Sequence, residues 1–148
     1  MDVAVDAKQS NEQSGTHVDV LIVGAGISGI DAAYHLQQTC PGKSFTLLET
    51  QETFGGTWWT HKYPGIRSYS DLFTFGYGWK PWMGPPIATA DEILTYLDEV
   101  LDEQDIRRHI QFNRQINKAT WSGEKKCWTL DVLCKESGET IQYTCNFL

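Results

Sequence analysis

The stretch "VDVLIVGAGISG", Val18–Gly29, decides the fold. Its first part, Val18 to Gly24, is short, almost wholly apolar and rich in β-branched residues, which predicts a strand buried on both faces, as in a parallel sheet. Gly24, Gly26 and Gly29 then form GxGxxG. From Ile27 the chain places Ile27, Ile30, Ala33, Tyr34 and Leu36 at helical spacing, and the helix should stop near Cys40 because Pro41-Gly42 follows. "SFTLLET", Ser44–Thr50, is a second buried strand, so the whole stretch reads as a β-α-β unit.

GxGxxG alone is a weak signal because glycine is common. Here it follows a strand, opens a helix, and is followed twenty residues after Gly29 by an acid, Glu49, at the end of the second strand, which is the context of a dinucleotide site. Each part has a physical task. Gly24 permits the tight turn, Gly26 lets the backbone approach a pyrophosphate, and Gly29 lets the helix pack on the strand. The helix N-terminus offers free N–H groups and a partial positive charge, and Ser28 adds a hydroxyl at the same end. Glu49 would accept from adenosine ribose hydroxyls and repel a 2′-phosphate, which points to FAD or NAD as the first nucleotide. This unit does not choose between the two.

Residues 51–88 have no strong period and contain Pro64, Pro81, Pro85 and Pro86. A connection of that length is either functional or disordered, and its aromatic content excludes disorder. Within it, "GGTWWTHKYPGIRSYSD", Gly55–Asp71, combines glycines, large rings and one arginine. Gly55 and Gly56 let the backbone lie close to a ring system or a pyrophosphate. Thr57 offers a hydroxyl, and Trp58 and Trp59 offer flat apolar surface with an N–H handle. That mixture suits a flavin. Trp79 and Trp82 read as loop packing. "TADEILTYLDEVLDEQDI" follows as a helix, with Thr89 as N-cap, Glu92 completing a capping box, and its acidic run on a solvated face. After Ile106 the period becomes two. "IQFNRQINKATW", "KCWTLDVLC" and "ETIQYTCNFL" predict three strands of an antiparallel meander, turned at Ser122-Gly123 and Ser137-Gly138, with Trp121 and Trp128 in its core.

With 148 residues, 41% hydrophobic and 21% charged, the chain is an ordinary globular domain, preceded by a disordered lead over residues 1–16. Its net charge of −7 argues against nucleic acid or an anionic membrane as partner. The basic pairs Arg107–Arg108 and Lys125–Lys126 read as solvated faces. No apolar run is long enough to span a bilayer, and the polar N-terminus carries no secretory signal. Cys40, Cys127, Cys134 and Cys145 have no metal spacing, nor do His17, His35, His61 and His109, so no metal is expected and a cytoplasmic location with reduced thiols is.

In this order and spacing, "VGAGISG", the acid at the end of "LLET", "GGTW", "YPGIRS" and "FTFGYGWKPW" resemble the N-terminal, FAD-binding part of the class B flavoprotein monooxygenases. The likeness covers residues 18 to 148. It is greatest to Baeyer–Villiger monooxygenases, in the branch that includes the bacterial ethionamide-activating enzyme. The resemblance implies an α/β, Rossmann-like (GR2-type) FAD-binding domain, a parallel sheet plus an antiparallel β-meander, incomplete at the C-terminus, over residues 17–148. It implies that FAD is reduced by NADPH held in a second domain. The reduced flavin then uses O2 to convert a ketone to an ester or lactone, or to oxidise sulfur. Carried over by position, Gly24, Gly26, Ser28 and Gly29 would hold the pyrophosphate and Glu49 the ribose. Gly56, Thr57 and Trp58 would lie along the pyrophosphate and flavin, and Ile116 would meet the adenine through its backbone. Arg67 and Tyr69 fall in the stretch near flavin and NADP.

Two departures bear on catalysis. The family places an aspartate two residues past the arginine, where this chain has Tyr69, which is neutral near pH 7 and cannot form the expected ion pair. That leaves Arg67 and Asp71 as the candidate catalytic groups. The family's NADP-binding glycine motif, its Baeyer–Villiger fingerprint and its catalytic arginine fall beyond residue 148. Two alternatives therefore stand beside the monooxygenase reading: a non-catalytic nucleotide-binding protein, and an NAD- or FAD-dependent oxidoreductase of another class. The 148 residues alone are expected to be inactive, and neither substrate nor oligomeric state is legible.

Overall fold

The structure, a computed structural model, describes residues 15–148. Of the expected lead over 1–16, residues 1–14 lie outside the described residues, and Thr16 already belongs to the first strand. Strand β1 (Thr16–Val23), helix α1 (Ile27–Thr39) and strand β2 (Phe45–Leu48) form the expected β-α-β unit, and β1 and β2 run parallel with Ile22 opposite Leu47. The connection to the next strand holds two one-turn helices, α2 (Thr57–Thr60) and α3 (Leu72–Phe75), and the long helix α4 (Ala90–Glu103). A 3₁₀ turn (Arg107–His109) leads to β3 (Ile110–Gln111), β4 (Arg114–Ser122), β5 (Cys127–Cys134) and β6 (Thr140–Phe147).

Among the described residues the six strands form one mixed sheet in the order β3-β2-β1-β6-β5-β4. The meander is thus a continuation of the parallel sheet. Its last strand pairs antiparallel with β5 and parallel with β1, where Thr16 stands opposite Tyr143 and Val20 opposite Phe147. The first expected meander strand is in fact two elements. Ile110–Gln111 pairs parallel with β2, while Arg114–Ser122 pairs antiparallel with β5. Between them Asn113 takes φ +56°, a left-handed conformation that asparagine tolerates and that breaks a strand. Alternation by two runs through this break, so periodicity cannot reveal it. The junction is tied down by Asn113 N–H to Gln51 O (2.9 Å) and Arg114 N–H to Glu49 O (2.8 Å).

Two apolar layers follow from these faces. α1 and α4 cover one side of the sheet with Ile30, Ala33, Ile93, Leu97, Val100 and Leu101, packed on Leu47 and Ile110. On the other side Val18, Leu21 and Leu48 meet Leu130, Val132, Tyr143 and Cys145 of the meander. Trp128 packs against that second layer, but Trp121, expected in the core, is 48% exposed. It stands directly opposite Trp128 near the hairpin end, where the sheet has run past its cover. The acidic run on α4 is paired: Asp98 and Asp102 hold Arg107, and Glu99 and Glu103 hold Lys80. Arg108 reaches Asp105 (2.8 Å), so the arginine pair is an ion-pair site at the end of α4.

α4 begins with the expected capping box. Thr89 Oγ1 accepts from Glu92 N–H (3.3 Å), and the Glu92 carboxylate accepts from Thr89 N–H (2.8 Å). The Thr89 backbone bond, and then its hydroxyl, hold the Glu92 carboxyl below the usual glutamate range. A depressed folded-state value stabilises above the unfolded value, and the contribution is lost as pH falls through the folded one. Glu92→Gln should therefore unfold at lower urea than the parent at neutral pH, and the difference should close as pH drops below the carboxylate range. Leu97→Ala, in the fully buried stripe of α4, should cost about 2–5 kcal/mol at any pH in the same titration.

Candidate functional site

The site is built at the carboxyl ends of β1 and β2, where the chain leaves the sheet twice and the connection after β2 returns to the first exit. The first exit is the glycine turn. Gly24 N–H donates to Leu48 O (2.9 Å), which locks the turn to the end of β2. Gly29 faces straight back onto that turn. A Cβ on Gly29 would stand 2.1 Å from Gly24 O, so only glycine allows α1 to lie this close to β1.

The second exit is Glu49, a buried carboxylate at 7% exposure. Its Oε2 accepts from Ala25 N–H (2.7 Å), inside the glycine turn, and its Oε1 accepts from Gln51 N–H (2.8 Å). Two oxygens with one N–H each still have lone pairs free for further donors. The carboxylate therefore fixes the turn and remains an acceptor.

Further along the connection after β2 comes the second glycine loop. Gly55 N–H donates to Ala25 O (2.9 Å), so Ala25 is held from both sides. Gly56 has φ +54° and ψ −122°, outside what L side chains adopt, and a Cβ there would come within 3.2 Å of the Gly26 Cα. The two glycine loops pack backbone against backbone. Gly56 then starts α2, which presents Thr57 and Trp58, and Trp58 meets Phe75 of α3 edge to face at 6.3 Å.

Together these segments enclose a cleft of about 290 Å³, lined by Gly24, Gly26, Ser28, Gly29, Gly56, Thr57, Trp58 and Phe75 among others. α1 has Gly26 as N-cap with no side-chain cap and no acid in its first turn. Its leading N–H groups are thus unanswered by side chains and face the cleft, an arrangement that favours an anion. A larger cavity of about 620 Å³ lies elsewhere, between β1 and α1 beside Phe147. Its walls are mostly apolar, and the polar side chains that line it, Asp19, Lys43 and Asn146, are engaged with one another, so the smaller glycine cleft is the chemical site.

Of the residues singled out from sequence, Gly24, Gly26, Ser28, Gly29, Gly56, Thr57 and Trp58 meet at this cleft, with Glu49 behind it. The others do not line it. Arg67 is exposed, with its Nε–H on Gly65 O (3.0 Å) and no acidic partner among the described residues. Tyr69 is 85% exposed. Asp71 caps α3 by accepting from Thr74 N–H (2.9 Å), so its carboxylate is engaged in local structure. Ile116 lies on β4, two residues past the Arg114 amide that bonds Glu49 O, and packs on the second apolar layer. Sequence reasoning overlooked Phe75 as a wall residue and Ala25 as the clamped amide. Phe75 sits in an aperiodic stretch, and a backbone amide leaves no side-chain signal. Among the described residues no helix is long and apolar enough to cross a membrane.

Comparison with known proteins agrees with this geometry. Residues 22–99 match the family described as NAD(P)-binding Rossmann-like domain. The FAD-containing monooxygenase EthA of Mycolicibacterium smegmatis is 47% identical over 133 residues, which are 89% of this chain and 27% of that protein. A steroid monooxygenase solved in its oxidised form bound to NADP superposes with a TM-score of 0.74 at 30% identity, over 86% of this chain and 25% of that one. A closed cyclohexanone monooxygenase gives 0.77 at 26% identity, over 90% and 25%. The chain thus spans about a quarter of the length of the relatives it matches.

The back-to-back glycine loops generate a direct test. Gly56→Ala should lose about 1–3 kcal/mol of unfolding free energy from backbone strain, and Gly29→Ala should lose more, because its Cβ meets a carbonyl rather than a mobile side chain. Gly42→Ala, with open space around it, should leave the urea midpoint nearly unchanged.

Proposed function

The chain belongs to the NAD(P)-binding Rossmann-like domain family, and from that premise we propose that residues 17–148 are the FAD-binding portion of a flavin-dependent monooxygenase. One observation carries the reading. A cleft with unanswered helix N–H groups lies between two glycine loops and in front of a fixed, buried carboxylate. The donor set fits a dinucleotide: N–H groups for the pyrophosphate, an acceptor for ribose hydroxyls, and rings for a flat heterocycle. The FAD-containing relatives favour FAD over NAD.

In this reading the N–H groups of Ser28 and Gly29 and the Ser28 hydroxyl bind the pyrophosphate, and Gly56 lets a second stretch of backbone approach it. Glu49 accepts from the adenosine ribose, and its fixed negative charge disfavours a 2′-phosphate at that position. Thr57 supplies a hydroxyl beside the pyrophosphate. Trp58 and Phe75 exclude water from one side of the cleft. Ile116 offers its backbone to the adenine, and Arg67 and Tyr69 stand toward the nicotinamide partner. Bound FAD would supply electron transfer from NADPH to O2, with a ketone or a sulfide as the small-molecule substrate. The remaining three-quarters of the length seen in relatives carries the rest of that chemistry. A cytoplasmic location suits four cysteines that are all free thiols.

A second reading, nucleotide binding without oxygenation, draws support from Tyr69 and Asp71. The first puts an exposed phenol where the resemblance calls for a carboxylate, and the second commits its carboxylate to capping α3.

The chain should retain FAD through gel filtration, with the visible bands of bound flavin, and FAD should raise its melting temperature more than NAD or NADP does. Stabilisation by NAD and not FAD would move it to another class of oxidoreductase. Glu49→Ala should weaken FAD by roughly ten- to a hundredfold, as expected for a lost charge-assisted acceptor. Bound FAD with neither NADPH consumption nor ketone-dependent O2 uptake, measured on a chain of full family length, would favour the second reading.

A further inference from the structure

Phe75 is a wall of the cleft, yet it ends a one-turn helix, too short to hold its own place. The segment immediately after it is anchored on α1. Tyr77 is 6% exposed, and its hydroxyl donates to Ile27 O, at the start of α1, at 2.6 Å. Its backbone N–H donates to the Tyr96 hydroxyl oxygen (2.9 Å), and that hydroxyl donates to Lys80 O (2.6 Å). The Tyr77 ring stacks on Trp79 at 4.8 Å and 7°, and Trp79 stacks on Tyr34 of α1 at 3.7 Å and 13°. The Trp79 indole N–H donates to Asp31 Oδ1 (2.9 Å), one turn further along α1. Ile27, Ser28 and Phe75 line both the glycine cleft and an adjoining cavity of about 440 Å³, whose floor includes Asp31, Tyr77 and Trp79. Those three shared residues are the partition between the two, and the ring stack backs it from the side of the second cavity.

We infer that Tyr77 is a positioning residue: its hydroxyl, fixed on the Ile27 carbonyl, sets the gap between the first turn of α1 and Phe75 that the dinucleotide must enter. This rests on the reading of the cleft as a FAD site. Ile27 is the neighbour of Ser28, so a bond to its carbonyl bears on the very turn whose N–H groups face the pyrophosphate. Burial, and then the charge of Asp31, push the Tyr77 phenol above the usual tyrosine range, which keeps it a donor at all ordinary pH. The ring stack positions the phenol, and the single hydrogen bond connects it to the helix.

Tyr77→Phe keeps the ring and removes only that bond. Tyr143→Phe is the control, because it removes another buried hydroxyl, bonded to Gln111 Oε1 at 2.6 Å on the opposite face of the sheet. Amide hydrogen exchange of the ligand-free chains and FAD titration are measured on both variants and the parent. Tyr77→Phe should speed exchange at Phe75, Gly76, Tyr77 and Ile30 by roughly three- to tenfold, as for one lost buried hydrogen bond, and weaken FAD by a similar factor. Tyr143→Phe should leave those four amides and FAD affinity as in the parent. Unchanged exchange at these amides in Tyr77→Phe would overturn the inference, as would an equal rise throughout the chain or local loosening with parental FAD affinity. Local loosening in a chain that binds no FAD even as the parent would uphold the anchor and overturn the FAD reading instead.

Discussion

The buried carboxylate of Glu49 is the constraint on which the site depends. A carboxylate with little access to water must be answered by donors, and here the donors are the Ala25 amide in the glycine turn and the Gln51 amide after β2. One side chain thus couples the ends of two neighbouring strands. Ala25 O then accepts from Gly55, which draws in the second glycine loop. Arg114 N–H bonds the carbonyl of Glu49 itself, so the start of the meander is tied to the same residue. Four separate segments meet within a few bonds of this carboxylate, and those bonds shape the cleft.

Much of this was legible in the sequence. The β-α-β unit rests on local signals that agree with one another: an apolar run, a glycine turn, a helical stripe and an acid at a set distance. The capping box of α4 was equally plain, because its two partners are three residues apart. What the sequence concealed was non-local or carried by the backbone. The division of the first meander strand depends on one φ angle at Asn113. The pairing of β6 with β1 joins residues more than a hundred positions apart. Asp71 was readable as a nearby acid but not as a cap, since its partner is the amide of Thr74.

The long segment between β2 and α4 shows how a stretch without period can still be ordered. It has no continuous helix or strand to pay for its conformational entropy. Its order comes from rings and glycines used in complementary ways. The glycines let backbones touch, at Gly26 and Gly56, and the rings fill what backbones leave open, with Tyr34, Trp79 and Tyr77 stacked on α1 and Trp82 meeting Tyr96 edge to face. Charge contributes at the margin, where Lys62 lies 3.8 Å over the Trp59 ring and Arg107 stands over Phe54. Exposed contacts of this kind are worth little singly.

The parallel pairing of β6 with β1 also sets an order of events during synthesis. Closing a loop between distant residues costs chain entropy that local contacts do not, so local units form first. β1, α1 and β2 emerge together and can pair early. The outer side of β1 waits for Tyr143 to Phe147, nearly the whole described chain later. The bond between His17 and Thr144, at 2.8 Å, spans 127 residues and must wait for the meander. Until then β1 is an apolar strand with a bare edge, the kind of surface that recruits other chains. The glycine turn at its end is thus assembled on a strand only half secured.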